Sequence, residues 1–133
     1  MALEVQVVSP EAILWSGEAE RVITRTLGEG DIAFLTGHAP FVGALGIGVT
    51  EILGADGETV RVAVHGGFVE VSYNRVSILS DVAELADHID EDRARQAKER
   101  AEKALQEAHD DENQAALQRA ETRLRAKGTL TSA

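Results

Sequence analysis

The sequence predicts a β + α chain, with an N-terminal flattened antiparallel β-sandwich of about ten strands and a C-terminal antiparallel two-helix hairpin. Three observations lead to this fold class. Eleven of the twelve glycines and both prolines lie at or before residue 67. The apolar residues repeat every second position in this part and every third or fourth position after residue 90. Residues 1–86 hold 12 acids and 4 bases, whereas residues 87–133 hold 11 and 9. We therefore expect a β-sandwich domain over 1–86 and a helical hairpin domain over 87–133.

Short runs in which apolar and other residues alternate predict the strands. The clearest runs cover residues 3–7, 60–64, 69–71 and 76–78. β-branched residues at every second position are typical of half-buried antiparallel strands. The stretch Ala-Asp-Gly-Glu at 55–58 predicts a hairpin turn, because Asp-Gly tolerates the positive φ that such turns need. Such runs give roughly eight to ten short strands before residue 85, a number typical of a sandwich or a flattened barrel.

Two stripes of small apolar residues predict the helices. Alanines between residues 94 and 108 step by three and four, and a second stripe has Leu117, Ala120 and Leu124. The acidic stretch at 109–113 separates them, and Asp111 with Gln114 resembles a capping box. This pattern predicts two helices of about 15 to 18 residues each. Because an alanine methyl contributes only about 0.8 kcal/mol on burial, we expect the hairpin to be weakly docked.

Charge and composition exclude several classes of partner and site. The net charge of -10 disfavours nucleic acids and anionic membrane surfaces and favours basic protein surfaces. The chain has no cysteine, and its four histidines show no metal-ligand spacing, so we expect no metal site. The first eight residues lack a basic start and a long apolar run, so neither a signal peptide nor a transmembrane segment is expected.

The strand region contains one tripeptide that resembles a catalytic loop, His65-Gly66-Gly67. It is similar to an oxyanion loop, but no Gly-x-Ser-x-Gly nucleophile elbow accompanies it. We therefore interpret it as a tight turn or a bulge between two strands. Since no nucleophile, acid and base form a coherent set, we expect no catalytic residue and no enzyme activity of the chain itself.

The charged stretch at 88–105 has two interpretations. In the first, it is the start of a surface helix, with Asp90 as the cap and acids in the first turn, where the helix dipole favours them. In the second, it belongs to an anion site. Arg93 and Arg100 lie on one shoulder of the first helix, and Arg119 and Arg123 are four residues apart on the second. Folding the hairpin about Asp111 brings Arg100 level with Thr122, between Arg119 and Arg123. Converging guanidinium groups with few carboxylates among them suit a polyphosphate.

The whole chain also resembles a known family, the epsilon subunits of bacterial F-type ATP synthases. Four segments in the same order carry the resemblance: VVSPEAILWSGEAERVITRT, GDIAFLTGHAPFVGAL, VAVHGGFVEVSYNRVSILSDVAELADHID and RARQAKERAEKAL. The family has a ten-stranded β-sandwich followed by a helical hairpin, which agrees with the division drawn from the residues. Many bacterial members have an ATP-binding motif, Ile/Leu-Asp-x-x-Arg-Ala, and Ile89 to Ala94 fit it as IDEDRA.

The resemblance implies a non-catalytic central-stalk subunit that binds the gamma subunit and the c-ring and couples rotation of the ring to ATP synthesis. It implies a peripheral location on the cytoplasmic face of the bacterial cell membrane. It further implies that the helices can extend into the alpha/beta catalytic head and inhibit ATP hydrolysis, with ATP as a regulatory ligand and no obligatory cofactor. The ATP-binding residues that it implies are Glu84, Ile89, Asp90, Arg93, Ala94, Arg100, Arg119 and Arg123. A freestanding adaptor that binds proteins is the alternative function.

Overall fold

A computed structural model describes residues 2–130 and has the predicted order of strands and then helices. The strands are β1 (Leu3–Val8), β2 (Ile13–Thr26), β3 (Gly30–Leu35), β4 (Phe41–Gly54), β5 (Thr59–Ser72), β6 (Arg75–Leu79) and β7 (Ala83–Leu85). A single 3₁₀ turn over Ala86–His88 leads to the helices, α1 (Glu91–Glu107) and α2 (Asp111–Lys127). Both helices have 17 residues, which confirms the predicted length.

The strands form a flattened barrel. Hydrogen bonds connect β1, β6, β5, β4 and β2 in that order, and β1 also pairs with β2, which closes the ring. β3 extends β2 at one side, and β7 pairs with β5. The predicted antiparallel sandwich is confirmed except for one pair, because β1 and β6 run parallel. The closed ring has five strands, an odd number, so strand direction cannot alternate all the way round and one neighbouring pair has to run parallel.

Residues 2–130 contain seven strands, not about ten. The difference arises because β2, β4 and β5 each run for 14 residues and take part in more than one strand pairing. The tripeptide at 65–67 lies inside β5, so the predicted turn or bulge between two strands is wrong. The hairpin turn between β4 and β5 is confirmed: Gly57 has φ +87°, and the Asp56 carboxylate accepts a hydrogen bond from the backbone N–H of Glu58.

The core follows the alternation of the strands. In β1, Leu3, Val5 and Val7 are fully buried, and the residues between them are exposed. In β5, however, Val62, Ala63 and Val64 are all buried. The two valines belong to the barrel core, whereas the Ala63 side chain belongs to a second apolar cluster that includes residues of both helices. This part of β5 is therefore covered on both faces, by the barrel on one side and by the hairpin on the other.

The hairpin packs against β4 and β5 through α2 and the start of α1. The contact is thin, since its buried apolar members are Ala63, Ile89, Ala94, Leu124 and Ala126. Ala120 and Thr122 of α2 are also buried. Small side chains therefore predominate at this contact, and weak docking of the hairpin stays a prediction. Neither helix in the described residues is long and apolar enough to cross a membrane.

The N-terminal cap of α1 is the residue that the sequence predicts, whereas that of α2 is not. Asp90 caps α1, and its carboxylate accepts a hydrogen bond from the N–H of Arg93 at 3.1 Å. The cap of α2 is Asp110 and not Asp111, since the Asp110 carboxylate accepts from the N–H of Asn113 at 2.8 Å. The connection between the helices is thus centred on His109, two residues earlier than the predicted folding point.

Candidate functional site

A pocket of about 340 Å³ lies where β7, the start of α1 and the second half of α2 meet. Each of these elements contributes a charged side chain: Glu84 from β7, Arg93 and Arg100 from α1, and Arg123 from α2. The predicted site residues found in its wall are Glu84, Ile89, Asp90, Arg93, Ala94, Arg100 and Arg123, joined by Ala97. Seven of the eight residues named from the sequence are therefore brought to one place.

Local sequence explains how the start of α1 builds one wall of this pocket. Ile89 and Ala94 are buried against the second apolar cluster, which fixes the first turn of the helix. Asp90, between them, uses Oδ1 for the helix cap, while its side chain lies at the exposed surface of the pocket. Because capping fixes the backbone direction, Arg93 on the same turn lines the pocket as well. The cap and site interpretations of this stretch are compatible, since the same turn caps the helix and lines the pocket.

The eighth predicted residue, Arg119, lies beside this pocket and not in its wall. It lines a neighbouring groove of about 300 Å³ between the two helices, together with Arg100, Arg123 and Asn113. The groove and the pocket share Ala97, Arg100 and Arg123. Thr122 was expected level with Arg100, but it is buried at 1% exposure and lines neither pocket nor groove. The connection at His109 explains this, because folding about residue 109 places Arg100 opposite Gln118 and not opposite Thr122.

Two of the four arginines already have carboxylate partners, contrary to the expected scarcity of carboxylates. The Nε of Arg123 lies 2.7 Å from Glu84 Oε1, and Arg119 lies 3.0 Å from Glu112 on its own helix. Arg93 and Arg100 are exposed and have no ion-pair partner within residues 2–130. The pocket wall thus holds three arginines and two carboxylates, which gives it a net charge of +1. This suits an anion that also has an uncharged part with hydrogen-bond donors for a carboxylate.

Glu84 is the most strongly perturbed acid of the site. The hydrogen bond from His65 and the hydrogen bond and charge of Arg123 lower the pKa of its carboxyl from 4.5 to about 2, against the opposing effect of partial burial. His65 Nε2 lies 3.1 Å from Glu84 Oε1, the same oxygen that Arg123 contacts. Glu84 is therefore ionised at neutral pH and joins a barrel strand to the second helix.

His65 contacts the pocket residue Glu84 but does not itself line the pocket, and the sequence does not predict this contact. The sequence does single out the tripeptide that contains it, but the spacing of 19 residues to Glu84 carries no recognisable motif. The contact depends on the pairing of β5 with β7, in which Ala63 is opposite Glu84. Because side chains alternate along a strand, His65 lies on the same face of β5 as Ala63, the face that meets the hairpin.

The low pKa of Glu84 predicts a dependence of stability on pH. A carboxyl with a folded pKa below its unfolded value stabilises the fold above the unfolded pKa and loses this effect as pH falls through the folded value. We expect the difference in melting temperature between the native chain and Glu84→Gln to be largest above about pH 5 and to shrink towards pH 2. Thermal unfolding from pH 6 to 2.5 measures it. Glu70→Gln, at an exposed position of β5, is the control; a difference that stays constant with pH contradicts the assignment.

Other parts of the surface are less suited to an anion. A pocket of about 510 Å³ beside Gly66 and Gly67 is larger, but its wall contains no lysine or arginine. A cavity of about 320 Å³ on the other side of α2 contains Arg25, Arg61 and Arg125 with Asp31 and Glu51, so its net charge is also +1. There, however, Arg25 pairs with Asp31 and Arg61 with Glu51, so carboxylates already engage two of the three guanidinium groups. The described residues contain no group of three or more acids and histidines that could hold a metal ion.

Comparison with known proteins gives consistent matches over nearly the whole chain. Residues 2–86 match the family model of the β-sandwich domain of the ATP synthase delta/epsilon chain, and residues 87–128 match that of its long α-helix domain. The ATP synthase epsilon chain of Streptomyces griseus is 44% identical over 124 residues, which cover 93% of this chain and 94% of the relative. That of Thermobifida fusca is 48% identical over 128 residues, with coverage of 93% and 90%.

A solved structure has a similar fold. A chain in the mitochondrial ATP synthase of Euglena gracilis, determined as an assembly of OSCP, F1 and c-ring, superposes with a TM-score of 0.71. The sequences are 22% identical, and the match covers 96% of this chain and 78% of the other. At this identity the likeness concerns the fold.

Proposed function

The chain belongs to the delta/epsilon family of ATP synthase subunits, and on this premise we propose that it is a non-catalytic rotor subunit whose helical hairpin responds to ATP. In this role it binds the gamma subunit and the c-ring in the central stalk and couples rotation of the ring to ATP synthesis. With its hairpin extended, it reaches the alpha/beta head and inhibits ATP hydrolysis. This places the chain at the cytoplasmic face of the bacterial membrane, held there by its partners.

Two properties of the chain support the assembly role. The net charge of -10 favours basic protein surfaces as partners. Several large apolar side chains of the barrel are exposed, among them Val42 at 72%, Phe68 at 57% and Leu79 at 41%. Phe68 and Leu79 pair across β5 and β6, so they form one apolar surface that a partner can cover. Recovery of the chain with the gamma subunit and the c-ring from solubilised membranes tests this role, and consistent absence from that complex contradicts it.

The pocket between β7 and the hairpin is the observation that carries the ATP proposal. Ile89 and Ala94 supply an apolar wall for the base, and Asp90 accepts a hydrogen bond from a donor of the adenine or ribose. The phosphates lie over Arg93, Arg100 and Arg123. The neighbouring groove, which shares Arg100 and Arg123, gives the triphosphate room to extend towards Arg119. Planar guanidinium groups suit this task, because each donates two parallel hydrogen bonds to a phosphate.

ATP bound in this place stabilises the docked hairpin, because its contacts come from both helices and from β7. A ligand at ten times its dissociation constant stabilises the state that binds it by about 1.4 kcal/mol. ATP can therefore change the populations of the docked and extended states if their free energies lie within about 2 kcal/mol of each other. The apolar contact under the hairpin consists mainly of alanines, which favours such a small difference. Loss of ATP then releases the hairpin and permits inhibition.

Calorimetric titration of the full chain with ATP tests the site. We expect saturable binding that Arg93→Ala and Arg100→Ala each weaken by about tenfold, because each removes a charge-assisted contact to phosphate. Arg95→Ala is the matched control. Arg95 lies on the same helix and is also exposed, but it pairs with Glu91 and Asp92 and does not line the pocket. Absence of binding at millimolar ATP contradicts the ligand role and leaves the stalk role in place.

A further inference from the structure

His65 is almost completely buried at the junction between the barrel and the hairpin. Its side chain is 3% exposed, and Nε2 lies 3.1 Å from Glu84 Oε1. The other ring nitrogen, Nδ1, is buried and has no hydrogen-bond partner. A buried polar group without a partner is unfavourable, and a strand face covered by a helical hairpin usually holds apolar residues, as Ala63 does on this face. The position of this histidine therefore calls for an explanation beyond packing.

The contact with Glu84 fixes which ring nitrogen carries the proton. Glu84 is ionised at neutral pH, so its oxygens only accept hydrogen bonds. His65 Nε2 must therefore be the donor. This N–H and the Nε–H of Arg123 point at the same carboxylate oxygen from opposite domains of the fold, the first from β5 and the second from α2. Glu84 is held on both sides, and its position depends on both donors.

The geometry of the Arg123 contact leaves the phosphate-binding part of this side chain available. Glu84 accepts from Nε, at the side of the guanidinium group. An arginine carries four further N–H donors on its two terminal nitrogens. Within the pocket, those terminal groups can bind an anion while Nε remains on Glu84. The carboxylate thus orients Arg123 and does not compete with a ligand for it.

We propose that His65 is a positioning residue of this pocket, which holds the Glu84 carboxylate so that Glu84 in turn directs Arg123 towards the ligand. The inference rests on the proposed ATP site for its ligand, but the chain of contacts His65–Glu84–Arg123 exists in the structure without one. The two glycines that follow His65 contribute to this arrangement of His65, Glu84 and Arg123. Gly66 and Gly67 have φ of +90° and +121°, and they let β5 pass from its pairing with β6 to its pairing with β7, where Glu84 is located.

A pair of amide substitutions tests the proposal. The amide nitrogen of glutamine reaches about as far as His Nε2, whereas that of asparagine reaches only about as far as Nδ1. His65→Gln is therefore expected to keep the hydrogen bond to Glu84, and His65→Asn is expected to lose it. The two variants differ by one methylene group. His109→Gln, in the exposed connection between the helices, controls for the loss of an imidazole as such.

The first measurement needs no ATP. In NMR spectra of the full chain, the Nε–H of Arg123, assigned with Arg123→Lys, is expected to exchange slowly with solvent in the native chain and in His65→Gln. It is expected to exchange rapidly in His65→Asn. Equal exchange in the two variants overturns the proposal. If His65→Asn does not fold, His65→Gln alone decides, because rapid exchange of Arg123 in that variant contradicts the proposed role of the hydrogen bond.

The second measurement is ATP affinity. We expect His65→Asn to bind ATP about tenfold more weakly than His65→Gln, which corresponds to the loss of one charge-assisted contact. Matching affinities in the two variants contradict the proposal. If the native chain binds no ATP, the proposed ligand is wrong, and the exchange of the Arg123 Nε–H still decides whether His65 positions the other two residues. The two failures are therefore distinguishable.

Discussion

Replacing Gly67 by alanine is expected to lower the free energy of unfolding by about 3 kcal/mol or more. The residue has φ +121°, a conformation that alanine adopts only with strain. A Cβ at this position also overlaps the Leu79 carbonyl oxygen and lies 2.9 Å from the Cα of Ser80. Both are backbone atoms of the neighbouring segment, so neither can rotate away as a side chain does. The barrel must shift or the strand must separate from β6.

The matched control for this prediction is Gly57→Ala in the turn between β4 and β5. Gly57 also has a positive φ, of +87°, but no atom lies within 4 Å of the added Cβ. Gly57→Ala should lower the free energy of unfolding by about 1 kcal/mol, which is the effect of the backbone conformation alone. Urea denaturation of both variants gives the two values. Equal losses would mean that strain at positive φ, and not contact with the Leu79–Ser80 backbone, dominates at Gly67.

Glycines such as Gly67 explain why the sequence predicts more strands than the structure has. Glycine is a reliable signal of a turn at Gly57, where Asp56 precedes it. Within the long strands, glycine has a different cause. A Cβ at Gly17 would meet the Trp15 ring, and one at Gly48 would meet the Arg25 side chain. At these positions the missing side chain of glycine leaves room for a neighbouring side chain, and the strand continues. A single sequence does not distinguish such a glycine from one that ends a strand.

The candidate site was predictable where its residues are close in sequence. Asp90, Arg93 and Ala94 share one helical turn, so their common location follows from the helix itself. The choice between Arg119 and Arg123 depends on the register of two helices. Moving the centre of the connection from Asp111 to His109 is enough to exchange the residue opposite Arg100. His65 and Glu84 meet only through strand pairing, which neither periodicity nor spacing reveals.

Arg123→Ala is expected to weaken ATP binding by about 10- to 150-fold, the effect of losing about 1.5–3 kcal/mol of charge-assisted hydrogen bonding. Arg123 lines both the pocket and the groove, so the variant removes a phosphate contact whichever way the triphosphate extends. It also removes the link between α2 and Glu84. Hydrogen exchange should therefore accelerate in α2 around Leu124 and remain unchanged in the barrel core. Calorimetry and hydrogen exchange on the same sample measure the two effects.

Arg119→Ala is the matched control, because it removes the same side chain one turn earlier on the same helix. Arg119 lies outside the pocket and pairs with Glu112, an exposed acid of α2. Arg119 can reach the ligand only where the triphosphate extends into the groove, and it already pairs with Glu112. We therefore expect an affinity loss of less than about fivefold, which corresponds to less than about 1 kcal/mol, and unchanged exchange near Leu124. If the two variants lose affinity equally, the phosphates lie in the groove between the helices, which both arginines line.

A double variant of Arg123→Ala and Glu84→Gln tests whether Glu84 acts through Arg123. When Glu84 acts through Arg123, Glu84→Gln adds little to the loss that Arg123→Ala already causes, whereas independent action gives additive losses.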